Sequence, residues 1–273
     1  MSTEKLSLSK IYTSIFDEPF FALGFKRKGV LYYRLNGNVL QGVTLVKTSP
    51  YRVRFNMFPY WAYDVRTLGE PSVKSLCLGG WAEGALKDFE GIYFKREDPA
   101  PAIQNLTDIL NSFLNIEMET MEYVKDEISY FSAFFGAKKW YSIPQKVVLR
   151  IAYLQNDFSI AETYLNFRKQ ETLSECYFKE LNNYAYLYNM NHHPSFKKYA
   201  DTPQFLSFDE MKFTRDKEKF ESHYEYSKKC SFGLLEEKVL GKDLAWIDSE
   251  YKKDCEKMSK LLKEAFDIDC NSC

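Results

Sequence analysis

Residues 24–47, GFKRKGVLYYRLNGNVLQGVTLVK, decide the predicted fold of the N-terminal part of the chain. After three cations in a row, the side chains alternate along VLYYRL as they do in a β-strand with two different faces. One predicted face carries Leu31, Tyr33 and Leu35, and the other carries Tyr32 and Arg34. The pair Asn36-Gly37 predicts a tight hairpin turn, because both residue types tolerate a positive φ. The stretch therefore predicts two antiparallel strands joined by a short turn.

The return strand and the segment after it extend this pattern. Val43 and Leu45 are expected to continue the apolar face of Leu31 on the return strand. A third strand is predicted in YRVRFNMF, residues 51–58, where apolar and polar side chains alternate. Its expected dry face is Val53, Phe55 and Met57, and its expected solvated, cationic face is Arg52, Arg54 and Asn56. Together with a helix over 7–23 that ends at Gly24, this predicts a helix followed by an antiparallel β-meander.

The rest of the chain has a helical pattern. A long helix is expected from Asp98 to Gly136, with a break near Asn115, because its apolar residues recur at a spacing of three to four. Further helices are expected after Pro144, over 172–190, after Ser207 and from Asp243 onwards. The predicted fold class is α+β, with an N-terminal helix plus antiparallel β-meander followed by an α-helical region. The predicted domains are a helix-plus-antiparallel-sheet module over 1–98 and a helical region over 99–273.

Composition is that of an ordinary soluble globular protein. The chain has 273 residues, 27% of them charged, and a net charge of −1. Residues 1–97 hold 14 Lys and Arg against 9 Asp and Glu, so the N-terminal part is mildly basic and the remainder acidic. The N-terminus lacks a secretory signal pattern and no apolar run is long enough to span a membrane. With scattered cysteines, this predicts a cytoplasmic protein with reduced thiols.

Basic and aromatic residues of the predicted sheet form the candidate binding face. Its members are Lys28, Arg34, Arg52, Arg54, Tyr51 and Trp61. Cations that bind phosphates beside rings that stack on bases are typical of single-stranded nucleic-acid binding. The alternative is the solvated outer face of an antiparallel sheet, which the mild charge of this part of the chain favours.

Other candidate chemistry is sparse. His192 and His193 are adjacent, but the spacings typical of metal ligands are absent, so a polar loop is the preferred interpretation. Cys270 and Cys273 form a single CxxC at the end of the chain, without the second pair that a zinc site needs. Phosphate-binding glycine loops and nucleophile motifs are also missing from the sequence. We therefore expect no cofactor and no metal, and assign no catalytic residue.

Two resemblances add to this interpretation. Residues 23–57 resemble a bacterial family of uncharacterised proteins, domain of unknown function 4304. The matching positions are Gly24-Phe25, Lys28-Gly29, Tyr33-Arg34, Gln41 and Phe55. The resemblance implies a bacterial cytosolic protein without an established activity, in a group of modules that recur among immunity or defence-associated proteins. Separately, residues 152–164 are similar to the turn of a tetratricopeptide repeat, and a single copy favours a helical hairpin.

These observations leave three classes of function open. The preferred hypothesis is a non-enzymatic protein-interaction protein, whose acidic helical part suits a basic partner such as a nuclease toxin. The first alternative is a nucleic-acid-binding protein that uses the basic face of the N-terminal sheet. The second alternative is an enzyme with an unrecognised site. An exposed apolar or acidic patch, a contiguous positive patch, or a deep polar pocket would distinguish them.

Overall fold

The sheet lies early in the chain and helices make up most of the rest. The computed structural model describes residues 6–47, 50–63, 71–72, 91–135, 143–169, 172 and 217–270. The first elements are α1 (Leu8–Ala22), β1 (Lys26–Lys28), β2 (Leu31–Asn36), β3 (Val39–Val46), β4 (Arg52–Pro59) and a 3-10 turn (Tyr60–Ala62). The later ones are α2 (Ala100–Ser112), a π segment (Phe113–Glu117), α3 (Met118–Tyr123), α4 (Glu127–Phe135), α5 (Gln145–Gln155), α6 (159–169), α7 (Lys217–Lys228), a second π segment (Lys229–Gly233), α8 (Leu234–Gly241) and α9 (Leu244–Phe266). The predicted α+β fold class is confirmed.

Helix α1 ends in a Schellman motif, as the glycine predicted. The N–H of Gly24 donates to the carbonyl of Phe21 at 3.0 Å, and the N–H of Phe25 donates to that of Phe20 at 3.0 Å. Gly24 adopts a φ of +79°, which only glycine reaches without strain. The rings of Phe20 and Phe25, 4.9 Å apart, supply the hydrophobic contact of this motif. The cap turns the chain directly from the helix into the sheet.

The sheet has four antiparallel strands in the order β1-β2-β3-β4. The prediction missed β1, which is the basic run Lys26–Lys28 itself. The predicted hairpin turn is present, but its central residues are Gly37 and Asn38, because Asn36 pairs with Val39. A Cβ on Gly37 would lie 2.2 Å from the carbonyl oxygen of Lys125, and the φ of Gly37 is +57°. Glycine is therefore required here by both backbone conformation and close approach.

Both faces of the sheet are buried at its centre. Val43 pairs with Tyr32 and with Phe55, so it lies on the face of Tyr32 and not on that of Leu31. The prediction that Val43 and Leu45 lie on the face of Leu31 is therefore wrong, since both lie on the opposite face. The opposite face is not uniformly solvated either, since Thr44 and Asn56 are both buried. A sheet covered on both sides has no alternation from which the faces can be assigned.

An aromatic cluster packs α1 and the first π segment onto one face of the sheet. The ring of Tyr32 lies 5.6 Å from that of Tyr12 and 4.9 Å from that of Phe20. Phe113 stacks between Phe20, at 5.0 Å, and Phe55, at 4.6 Å. These rings are buried, so they form the core between the helices and the sheet.

The long predicted helix is interrupted twice. It begins at Ala100 rather than Asp98, and Pro99 occupies the N-cap position without a side-chain cap hydrogen bond. The break expected near Asn115 appears as the π segment, and a second break precedes α4. Asp126 caps α4, because its carboxylate accepts from the N–H of Ser129 at 2.7 Å while the Ser129 hydroxyl accepts from the N–H of Asp126 at 3.0 Å.

The chain divides into two compact units. The first combines residues 1–153 with 244–273, and the second is Leu154–Asp243. In the second unit, Lys169 and Lys228 both pair with Glu236, and the hydrogen bond from Lys169 is the main cause of the lowered pKa of that carboxyl. The division into predicted domains 1–98 and 99–273 stays a prediction. Apart from residue 172, the helix predicted over 172–190 lies outside the described residues, and so does the start of the helix predicted after Ser207.

Candidate functional site

The structure does not gather the six predicted binding residues on one face. Lys28 lies on β1, at one edge of the sheet, whereas Arg52 and Arg54 lie on β4 at the other. Arg34 pairs with Gln41 and so lies on the opposite face from Arg54, which pairs with Thr44. The candidate face therefore separates into three residues with structural contacts and three residues at the β4 edge.

Arg34 ties three elements together. Its Nε donates to Oε1 of Gln41 at 2.8 Å, and its Nη1 donates to the carbonyl of Leu23 at 2.7 Å. Its Nη2 forms an ion pair with Glu122 at 2.7 Å, and the guanidinium lies 4.6 Å from the centre of the Phe25 ring. These contacts use the planar fork of the guanidinium, and they connect the end of α1, β3 and α3.

Amide side chains of the hairpin complete the end of α3. The amide nitrogen of the buried Gln41 donates to the carbonyl of Met121 and to that of Val124, the latter at 3.2 Å. The amide of Asn36 donates to the Met121 carbonyl at 3.0 Å. The last carbonyls of a helix lack intrahelical partners, so these two amides satisfy groups that would otherwise be buried without a hydrogen bond. Gln41 therefore has a structural role in this chain.

The basic run that opens the sheet caps the C-terminal helix. The ammonium of Lys28 donates to the carbonyl of Ala265 at 2.6 Å, and that of Lys26 donates to the carbonyl of Asp267 at 3.0 Å. Between them, the hydroxyl of Tyr33 donates to the carbonyl of Phe266 at 3.0 Å, and burial raises the pKa of Tyr33. Two cations and a hydroxyl thus meet the negative end of the α9 dipole.

We expect Lys26→Gln/Lys28→Gln to lower the free energy of unfolding by about 1–2 kcal/mol, because both favourable charges at the end of α9 are lost. Urea unfolding measures this loss. A matched control is Lys257→Gln/Lys260→Gln, which removes two exposed cations from the same helix away from its end. If the control variant loses as much free energy of unfolding as the first variant does, the capping role is contradicted.

Trp61 is buried in a polar cluster. Its indole nitrogen donates to Oε1 of the buried Glu127 at 2.6 Å, and its ring meets the edge of Tyr251 at 5.0 Å. The guanidinium of Arg150 lies 3.6 Å from the centre of the Tyr251 ring and pairs with Asp248 at 3.3 Å. Burial raises the pKa of Tyr251, with the nearby Glu127 as the second cause. This cluster holds α9 against the 3-10 turn and α4.

Two groups of side chains in the described part of the chain are candidate binding surfaces. The first is the predicted pair Arg52 and Arg54 beside Tyr51, whose backbone bridges to Ile92. The second was missed by the prediction and lies on the first π segment and α3. We call it the exposed helix surface: Ile116, Glu119 and Tyr123. Its signal in the sequence is that Ile116 and Tyr123, seven residues apart, fall outside the buried helical stripe.

The histidine and cysteine candidates form no metal site within the described residues. His192 and His193 lie outside the described residues, and no group of three potential metal-ligating side chains occurs within them. Cys255 is disulfide-bonded, so the expectation of fully reduced thiols is wrong there, whereas Cys270 is free and burial raises the pKa of its thiol. Among the described helices, none has the length and apolar character needed to cross a membrane.

Comparison with known proteins adds no relative, since the chain matches no family model, no curated protein and no solved structure. The resemblance of residues 23–57 to the bacterial family therefore stays a prediction.

Proposed function

We propose that this protein is a non-enzymatic binding protein and that a protein partner docks on the exposed helix surface. The observation that carries the proposal is the exposure of two apolar side chains on one face of a helical segment. Ile116 and Tyr123, seven residues apart, are 53% and 57% exposed. Apolar side chains grouped in this way mark protein interaction sites more often than scattered ones do.

The charges around this surface suit a basic partner. Glu119 is exposed three residues after Ile116 and four before Tyr123, so its carboxylate lies on the same face of the helix. Complementary charge speeds association and disfavours partners of like charge. A basic toxin neutralised by this chain fits that chemistry, so we extend the proposal to a role in bacterial immunity or defence.

The polar groups of the first unit support a non-enzymatic role. In the described part of this unit, Arg34, Gln41 and Glu127 are each held in contacts between elements. We propose a cytoplasmic location as well, and the disulfide at Cys255 counts against it. Alkylation of thiols in intact cells tests the location. Cys255 is alkylated if it is reduced, as a cytoplasmic location predicts, and is protected if the disulfide is present.

Retention of a protein partner from a host lysate tests the docking surface. We expect Ile116→Gln/Tyr123→Gln to lose a partner that the wild type retains, at least tenfold by quantitative mass spectrometry, because apolar contact area is removed. The matched control is Leu154→Gln/Tyr226→Gln, which replaces an aliphatic and an aromatic residue that are also exposed. A partner that survives the first variant, or that is lost equally with the control, contradicts the proposal.

A further inference from the structure

Five cations of the described residues, near the start of β4 and in the segment after Gly91, differ from Arg27 and Arg34 in having no ion-pair partner. Lys47, Arg52, Lys95 and Arg96 are exposed and Arg54 is partly exposed. In the described parts of the chain, none of these five pairs with a carboxylate, whereas Arg27 pairs with Asp17 at 3.0 Å. An unpaired cation keeps its charge available to a ligand.

Strand register brings these cations to one end of the sheet. Arg52 pairs with Val46 and Arg54 with Thr44, so the two guanidinium groups share a face two residues apart. The segment after Gly91 joins the same edge, because Tyr51 and Ile92 exchange backbone hydrogen bonds of 3.0 and 2.7 Å. Three residues of fully extended chain span at most about 11 Å, so the Cα atom of Lys95 lies within that distance of the Cα atom of Ile92.

An exposed aromatic ring lies in the same segment. Tyr93 directly follows the bridging residue Ile92, and 67% of it is exposed. Charges at a sheet edge are commonly explained as protection against edge-to-edge aggregation. That explanation accounts for the cations but gives no reason for an exposed ring among them. Cations with an exposed ring match the way single-stranded nucleic acids are bound, whereas an acidic peptide has no use for the ring.

We propose that this edge binds single-stranded nucleic acid, as a surface separate from the exposed helix surface. We call it the basic rim: Lys47, Arg52, Arg54, Tyr93, Lys95 and Arg96. Its cations contact phosphates, and the ring of Tyr93 stacks on a base. Phosphate contacts and stacking on a single ring do not depend on base identity, so the binding is insensitive to sequence and depends strongly on salt.

Fluorescence anisotropy with a labelled 20-nucleotide oligo(U) tests the proposal over a range of salt concentrations. We expect Arg52→Gln/Arg54→Gln to weaken binding at least tenfold at low salt. The slope of log K against log salt should fall by about 1.4, since each lost phosphate contact contributes about 0.7. Tyr93→Ala should weaken binding about tenfold without changing that slope, because stacking releases no counterions. Lys257→Gln/Lys260→Gln, which removes the same charge elsewhere, should bind as the wild type does.

Three results would overturn the proposal. One is the absence of oligo(U) binding by the wild type at 50 mM salt, a low ionic strength that favours electrostatic contacts. Another is equal weakening by the rim variant and the control, which would mean that only net charge matters. The third is tighter binding of a poly-glutamate peptide than of oligo(U), which would assign the rim to an acidic protein.

Discussion

Phe113→Ala is expected to lower the free energy of unfolding by about 3–5 kcal/mol. Phe113 is fully buried in the first π segment, stacked between Phe20 of α1 and Phe55 of β4. Truncation to alanine removes apolar contact on both sides and leaves a cavity that two aromatic neighbours cannot fill without moving. Urea unfolding followed by circular dichroism measures the loss.

Two further variants show whether the loss comes from packing. Phe113→Leu retains much of the volume and is expected to cost about 1–2 kcal/mol. Phe21→Ala removes a half-exposed ring from α1 and is expected to cost less than about 1 kcal/mol. If Phe113→Ala costs no more than Phe21→Ala, the π segment does not anchor α1 to the sheet.

Trp61→Phe is expected to lower the free energy of unfolding by about 2–3 kcal/mol. The substitution keeps an aromatic ring against Tyr251 but removes the N–H that donates to the buried carboxylate of Glu127. A buried acceptor that loses its donor retains the full cost of its desolvation, and the cost is larger for a charged group. The loss is therefore larger than the change in ring size alone would produce.

A double-mutant cycle isolates that hydrogen bond. Glu127→Met removes the carboxylate at similar volume, so adding Trp61→Phe to it should cost much less than Trp61→Phe costs alone. We expect a coupling energy of about 1.5–3 kcal/mol from urea unfolding of the four proteins. Additivity within about 0.5 kcal/mol would show that the two side chains do not depend on each other.

Local chemistry predicted those parts of the fold that depend on neighbouring residues. Gly24 ends α1 because a left-handed residue is needed there, and the turn after Asn36 contains the glycine that a hairpin requires. The faces of the sheet could not be predicted in the same way. Val43 is buried on one face and Thr44 on the other, so apolar and polar residues are equally covered. The alternation of side chains along the strand therefore does not show which face is buried.

Residue types alone could not predict the use of the basic and polar side chains. Lys28 and Arg34 look alike in the sequence, yet one meets α9 and the other α3. The partner of Lys28 lies 237 residues away, a separation over which no local pattern holds. The sequence therefore predicted a basic sheet face, and the tertiary contacts separate it into capping residues and the basic rim.

We infer that the N-terminal cations form two sets with different roles. Lys26 and Lys28 stabilise the end of α9, whereas Arg52 and Arg54 stay available to a ligand. Urea unfolding of Lys26→Gln/Lys28→Gln beside Arg52→Gln/Arg54→Gln tests it, because each variant removes two positive charges. We predict a loss of about 1–2 kcal/mol for the lysine pair and less than about 0.5 kcal/mol for the arginine pair. Equal losses, or a larger loss for the arginine pair, would contradict the claim.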